Sequence, residues 1–106
     1  MKEILGKWKI IEMEQWDQDY IDLVEPGFIQ FDKDDLGDFV FGTVKGAIDY
    51  RFSNEPNSKI EFSWEGDNED DSVSGRGWVV IERNKEIYGM LYIHCGDESW
   101  FKAKKM

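Results

Sequence analysis

Ala47-Ile48-Asp49-Tyr50-Arg51-Phe52-Ser53 and, beyond Asn54-Glu55-Pro56-Asn57, Lys59-Ile60-Glu61-Phe62-Ser63-Trp64-Glu65 alternate apolar and polar side chains with a period of two. One side of each run is aromatic or β-branched and the other is charged or small, the pattern of a strand with one face in a core. Working outward, the period recurs in Ile4 to about Gln15, Phe28–Asp32, Asp38–Val44, Gly75–Arg83, Glu86–Cys95 and Ser99–Lys104. Asp32-Lys33-Asp34-Asp35-Leu36-Gly37, Arg83-Asn84-Lys85 and Gly96-Asp97 read as turns between them. Short connections make successive strands antiparallel neighbours. The expected fold is all-β: an eight-stranded antiparallel up-and-down β-barrel, whose closure removes free edges. A two-layer sandwich or a curved half-barrel is the rival built from the same strands.

Composition agrees with this pattern. Ile, Val, Phe, Tyr, Trp and Thr total 33 of 106 residues, against 10 for the helix-favouring Ala, Leu and Met. The length suits one domain, taken as residues 1–106. One segment departs from the alternation. Between Trp16 and Pro26, Asp17 is placed to cap a helix of at most three turns, with Tyr20, Ile21, Leu23 and Val24 on its apolar side. Pro26-Gly27 stops it, leaving a short helical lid between strands one and two.

Charge excludes several partners. Asp and Glu number 23 against 13 Lys and Arg, a net of −10, which opposes binding to nucleic acid and to an anionic membrane. The acids gather at Asp17–Glu25, Asp32–Asp38 and Glu65–Asp71. Cys95 is the only cysteine, so no intrachain disulfide is available. With no signal-like stretch at the start, a cytoplasmic location is expected.

Gly6-Lys7-Trp8 resembles the Gly-X-Trp signature of the calycin superfamily, the lipocalin-like barrels. That resemblance implies a Trp8 packed at the closed end and a helical or looped stretch after the first strand. Where those families often set an Arg across the Trp, this chain offers Lys102 and Lys104. Met13–Tyr20, Phe62-Ser63-Trp64-Glu65-Gly66 and Ser74-Gly75-Arg76-Gly77-Trp78 are similar to a group of small uncharacterised bacterial proteins. That similarity implies a bacterial source and no activity.

Candidate sites follow from strand parity. In the fourth strand Ile48, Tyr50 and Phe52 are the core set, whereas a polar lumen would turn Asp49 and Arg51 inward. In the first strand, strict alternation from Trp8 and Ile10 carries Glu12 and Glu14 inward, against the cost of burying carboxylates. A bulge near Ile11–Met13 resolves this; a wet barrel mouth, with Glu12, Glu14 and Arg51 meeting a ligand, is the alternative. The segment Glu65–Gly77 reads as a long acidic loop. His94 and Cys95 point to opposite faces of a strand and form no catalytic pair. No calcium loop is complete at Asp32–Gly37 or Asp67–Asp71, so neither a metal nor a cofactor is expected beyond weak Ca²⁺ binding.

No nucleophile, base and orienting group converge, so the chain is not expected to be an enzyme. Two functions remain, in this order. The first is binding of a small molecule in an aromatic-lined cavity, with Trp8, Phe62 and Trp64 as walls and Glu12 and Arg51 as polar handles. The second is an acidic interaction module that engages a basic protein partner through Asp17, Asp19, Asp70, Asp71 and Arg76. Monomer and dimer are both compatible with either.

Overall fold

Side-chain parity determines which face of each strand turns inward. In the computed structural model, which describes residues 2–52, 59–83 and 85–106, eight strands do so around one axis. They are β1 (Gly6–Met13), β2 (Phe28–Phe31), β3 (Leu36–Phe41), β4 (Val44–Phe52), β5 (Ile60–Asn68), β6 (Asp71–Ile81), β7 (Glu86–Ile93) and β8 (Glu98–Lys105). Each pairs antiparallel with the next, and β8 returns to β1, closing an up-and-down barrel. Among the described residues no helix is long and apolar enough to cross a membrane. The expected break Asn54-Glu55-Pro56-Asn57, and Asn84 of the turn Arg83-Asn84-Lys85, lie outside the described residues.

The first strand contains the expected bulge. Its register against β8 shifts between Ile10 and Glu12, so Trp8, Ile10 and Met13 are all buried while Glu12 faces solvent. The extra residue changes the parity of the strand and spares a carboxylate from burial.

Several boundaries differ from the sequence expectation. The β3–β4 turn is Gly42-Thr43, not a break after Val44. Gly42 takes a left-handed φ of 58°, and a Cβ there would meet the Tyr20 ring at 2.2 Å. Leu36 and Gly37, expected in a turn, belong to β3. Phe52 ends β4 exposed rather than in the core. β7 stops at Ile93, which leaves His94 and Cys95 in an exposed turn, with Cys95 at φ 61°.

The largest correction concerns 65–77. It is not a loop: β5 and β6 stay paired out to Asn68 and Asp71, joined by Glu69-Asp70 alone. Glu69 supplies the turn with a φ of 59°, a conformation usually left to Gly or Asn. A Cβ on Gly66 or Gly75 would run into the carbonyl oxygen of Lys45 or Tyr92, and one on Gly77 into the Phe62 ring.

The lid is one helical turn, α1 (Gln18–Ile21), shorter than its apolar spacing suggested. Asp17 caps it as expected, its carboxylate accepting the Tyr20 amide at 3.0 Å. Only Ile21 of its apolar side is buried; Leu23 and Val24 are exposed. Trp16 does the covering instead, with its ring centroid 4.8 Å from that of Phe41 at the upper opening. Beneath the barrel a 3-10 turn, Lys2–Ile4, pushes Ile4 under Trp8 and closes the lower opening.

Candidate functional site

The sequence-derived pocket residues separate once the barrel closes. Trp8 is 2 % exposed at the lower end, and its indole N–H donates to the Ile4 carbonyl at 2.8 Å. Phe62 and Trp64 are buried higher up. Glu12 and Arg51, the intended polar handles, lie on the outside of the wall: Glu12 is 3.9 Å from Lys102, and Arg51 pairs in register with Glu61. The bulge turned Glu12 out, and the apolar parity of β4 turned Asp49 and Arg51 out with it.

Aromatic side chains occupy the interior. Phe31 meets Tyr50 edge-on at 5.1 Å, Phe39 meets Trp64 at 5.0 Å, and Phe39 stacks on Phe41 at 5.9 Å. The upper interior, among Ile10, Met13, Ile29, Phe39, Phe41, Leu91 and Phe101, retains a void of about 10 Å³. That is about the room one water needs, and the apolar lining offers it no hydrogen bond.

The cation across Trp8 is Lys105, not Lys102 or Lys104. Its ammonium lies 4.7 Å from the ring centroid and donates to the Glu3 and Leu5 carbonyls. Burial, and then the neighbouring Lys85, pull its pKa below the usual lysine value.

Two of the acidic segments lie at the same end of the barrel. Antiparallel order places α1, the Gly42-Thr43 turn, the Glu69-Asp70 turn and the 94–97 turn at one end. A relay joins the first three. The Tyr20 hydroxyl lies 3.0 Å from Thr43 Oγ1, and the Thr43 hydroxyl donates to Asn68 Oδ1 at 2.6 Å. Gly42 N–H donates to the Ile21 carbonyl at 2.9 Å. Asp17 and Asp19 thus share this upper end with Glu69, Asp70 and Asp71, although some fifty residues separate them in the chain. The third acidic segment, Asp32–Asp35, sits at the lower end beside the lysine-rich termini. From the upper end an open trough runs down the outside of β4–β6, about 460 Å³ between Leu36, Asp49, Ser63, Ser74 and His94. Its upper part carries Glu65 and Asp67. Arg76, expected beside the acidic residues, is on β6 with its guanidinium over Tyr92 at 4.3 Å.

Asp22 holds the lid end to β1. Its carboxylate accepts from Gly27 N at 2.8 Å, Gln18 Nε2 at 3.0 Å and Lys9 Nζ at 3.3 Å. Burial pulls its pKa up, but the Gly27 amide, the Gln18 amide and the Lys9 charge outweigh this and hold it below the ordinary carboxylate value. A folded-state pKa below the unfolded one stabilises the protein above the unfolded value, and that contribution is lost as pH falls through the folded one. Asp22→Asn is expected to melt below wild type at neutral pH, with the gap closing in melts run below about pH 4.

Sequence reasoning does not single out Tyr88, Met90, Tyr92 or Trp100, which line the outside of the barrel with Trp78. The available signal is the glycine parity: Gly75, Gly77 and Gly89 occupy inward positions in these strands, so the bulky neighbours must face out. Among the described residues no three His, Cys, Asp or Glu side chains gather to hold a metal. Comparison of the chain with family models, curated proteins and solved structures finds no match.

Proposed function

We propose that the protein is a non-catalytic interaction module that holds a basic protein segment against its acidic upper end and the trough below it. The observation that carries this is the Tyr20–Thr43–Asn68 relay, which ties the segment bearing Asp17 and Asp19 to the hairpin bearing Glu69, Asp70 and Asp71 at one end of the barrel. A fixed cluster of like charge on a rigid scaffold attracts an oppositely charged partner and speeds its approach. The trough continues that field along Glu65 and Asp67 and is open enough to receive an extended chain. Among the described residues, the void lined by Ile10, Met13, Ile29, Phe39, Phe41, Leu91 and Phe101 is about 10 Å³, which is less than a small molecule needs.

The experiment compares acid removal at the two ends. A fluorescent lysine- and arginine-rich peptide is titrated against Asp17→Asn/Asp19→Asn, against Asp70→Asn/Asp71→Asn, and against Asp34→Asn/Asp35→Asn at the lower end. All three remove the same charge. Both upper-end variants are expected to weaken binding several-fold and to flatten its salt dependence, with the lower-end variant close to wild type. Equal weakening by all three would mean that net charge alone attracts the peptide, and the proposed site would be lost.

A further inference from the structure

The Gly42-Thr43 turn sits between the lid and the β5–β6 hairpin, and every polar atom of Thr43 is bonded to one or the other. Its amide donates to the Tyr20 hydroxyl oxygen at 3.4 Å, and its carbonyl accepts from the Glu69 amide at 3.4 Å. Its hydroxyl donates to Asn68 Oδ1 at 2.6 Å. A threonine hydroxyl has one proton, so the proton in the 3.0 Å bond to Tyr20 is supplied by the tyrosine. The chain therefore runs one way, from Tyr20 O–H to Thr43 Oγ1 and from Thr43 O–H to Asn68 Oδ1. All three side chains are half-buried, where such bonds polarise one another and are stronger than in water.

Each end of this chain lies one step from an acidic segment. The Tyr20 amide donates to the Asp17 carboxylate that caps α1, and Asn68 is the register partner of Asp71. The lid needs such a tie. α1 is a single turn, too short to hold its form alone. On the β1 side Asp22 anchors it; on the hairpin side the Gly42 amide holds the Ile21 carbonyl and Thr43 holds the Tyr20 hydroxyl. The Tyr20 ring is placed separately, with its centroid 6.4 Å from Trp16 and 6.4 Å from Phe41. Its hydroxyl can thus be removed without moving the ring.

We propose that Thr43 is a positioning residue, which locks the lid to the β5–β6 hairpin and so fixes the spacing of the acids that each carries. The lock stands on the hydrogen bonds alone; its effect on a partner rests on the reading of the upper end as a site for a basic segment. Two groups of charge at a fixed spacing hold one segment more tightly than two that drift apart, because less freedom is lost on binding. Thr43 has no charge. Altering it leaves the number of acids, and with it the salt dependence of binding, as in wild type.

Thr43→Val removes the hydroxyl and keeps the branched shape, Thr43→Ser keeps the hydroxyl, and Tyr20→Phe keeps only the ring. Hydrogen exchange is read first, with no partner present. The Ile21, Asp22 and Leu23 amides, bonded within the lid, are expected to exchange at least about fivefold faster in Thr43→Val and in Tyr20→Phe. Thr43→Ser should stay near the wild-type rate, and β7 amides should be unchanged in all three. The lysine- and arginine-rich peptide is then titrated. Thr43→Val is expected to bind it about threefold more weakly with the wild-type salt dependence, and Thr43→Ser to recover the loss. In the Asp17→Asn/Asp19→Asn background Thr43→Val should have no further effect, because no lid charge is left to place. Lid exchange unmoved by Thr43→Val and Tyr20→Phe would overturn the lock, whatever the peptide does. Faster lid exchange with undiminished affinity, or a loss that persists without the lid acids, would overturn the positioning role. If neither upper-end acid variant weakens the peptide, the partner reading falls, and exchange still decides the lock.

Discussion

Trp8→Ala is expected to cost about 3–5 kcal/mol and to lower the melting temperature by roughly 15–30 °C. The indole is one of the largest side chains wholly enclosed in the barrel, and three separate elements depend on it. Ile4 of the 3-10 turn lies beneath it and accepts its N–H; Lys105 of β8 covers its face; β2 pairs beside it through Ile29. Truncation leaves a void at the lower opening, frees the 3-10 turn and leaves a partly buried ammonium without its ring. Thermal melts with hydrogen exchange on Ile4–Trp8 and Ala103–Lys105 would measure both parts. A loss under about 1 kcal/mol would show that the lower end rearranges around the missing ring.

Gly46→Val is the second large effect expected, and it acts by excess instead of by loss. Gly46 sits on the inward side of β4 opposite Gly66, and a Cβ there would fall 2.5 Å from the Phe39 ring and 2.9 Å from that of Trp64. Those rings pack against each other at 5.0 Å. They can yield only by leaving their rotamers or by bending β3 away. Overpacking of this kind costs about 1–3 kcal/mol, and two crowded aromatic rings place the variant at or above the top of that range. The near-ultraviolet signal of Trp64 should change with it. A variant that melts with wild type and keeps that signal would show slack in the barrel that the packing does not suggest.

Alternation in eight runs, Ala47–Ser53 and Lys59–Glu65 among them, reads as strands because parity is a local property, and short connections order them. Closure into a barrel rather than a sandwich is settled by the β1–β8 pairing. The bulge was legible for a similar reason: Ile10, Met13 and Glu12 cannot all be satisfied by one unbroken strand. Turns were read less well wherever a residue acted through its tertiary neighbours. Lys45-Gly46 falls between two expected runs, yet Gly46 lies within β4, where it admits Phe39 and Trp64, and the turn falls at Gly42-Thr43. Glu69 adopts a left-handed turn without the glycine that usually marks one, so 65–77 reads as a loop although it is paired throughout. Leu23 and Val24 have helical spacing but nothing to pack on. Of the candidate pocket residues, Trp8, Phe62 and Trp64 lie inside the wall and Glu12 and Arg51 outside it, Arg51 by the apolar parity of β4 and Glu12 by the β1 bulge. That two acidic segments share one end follows from the antiparallel order, but the Tyr20–Thr43–Asn68 relay that ties them is tertiary and leaves no local pattern.

The seam between β1 and β8 differs from the other seven. Every other strand pairs with its neighbour in sequence, so each of those hairpins can form from a short stretch of chain with little loop entropy to overcome. The last seam joins Trp8 to Lys105 across nearly the whole chain. During synthesis, β1 must wait with its tryptophan exposed until β8 has left the ribosome. The seven hairpins can form without this seam, but the barrel closes only with it, and it also brings Lys105 over the ring of Trp8.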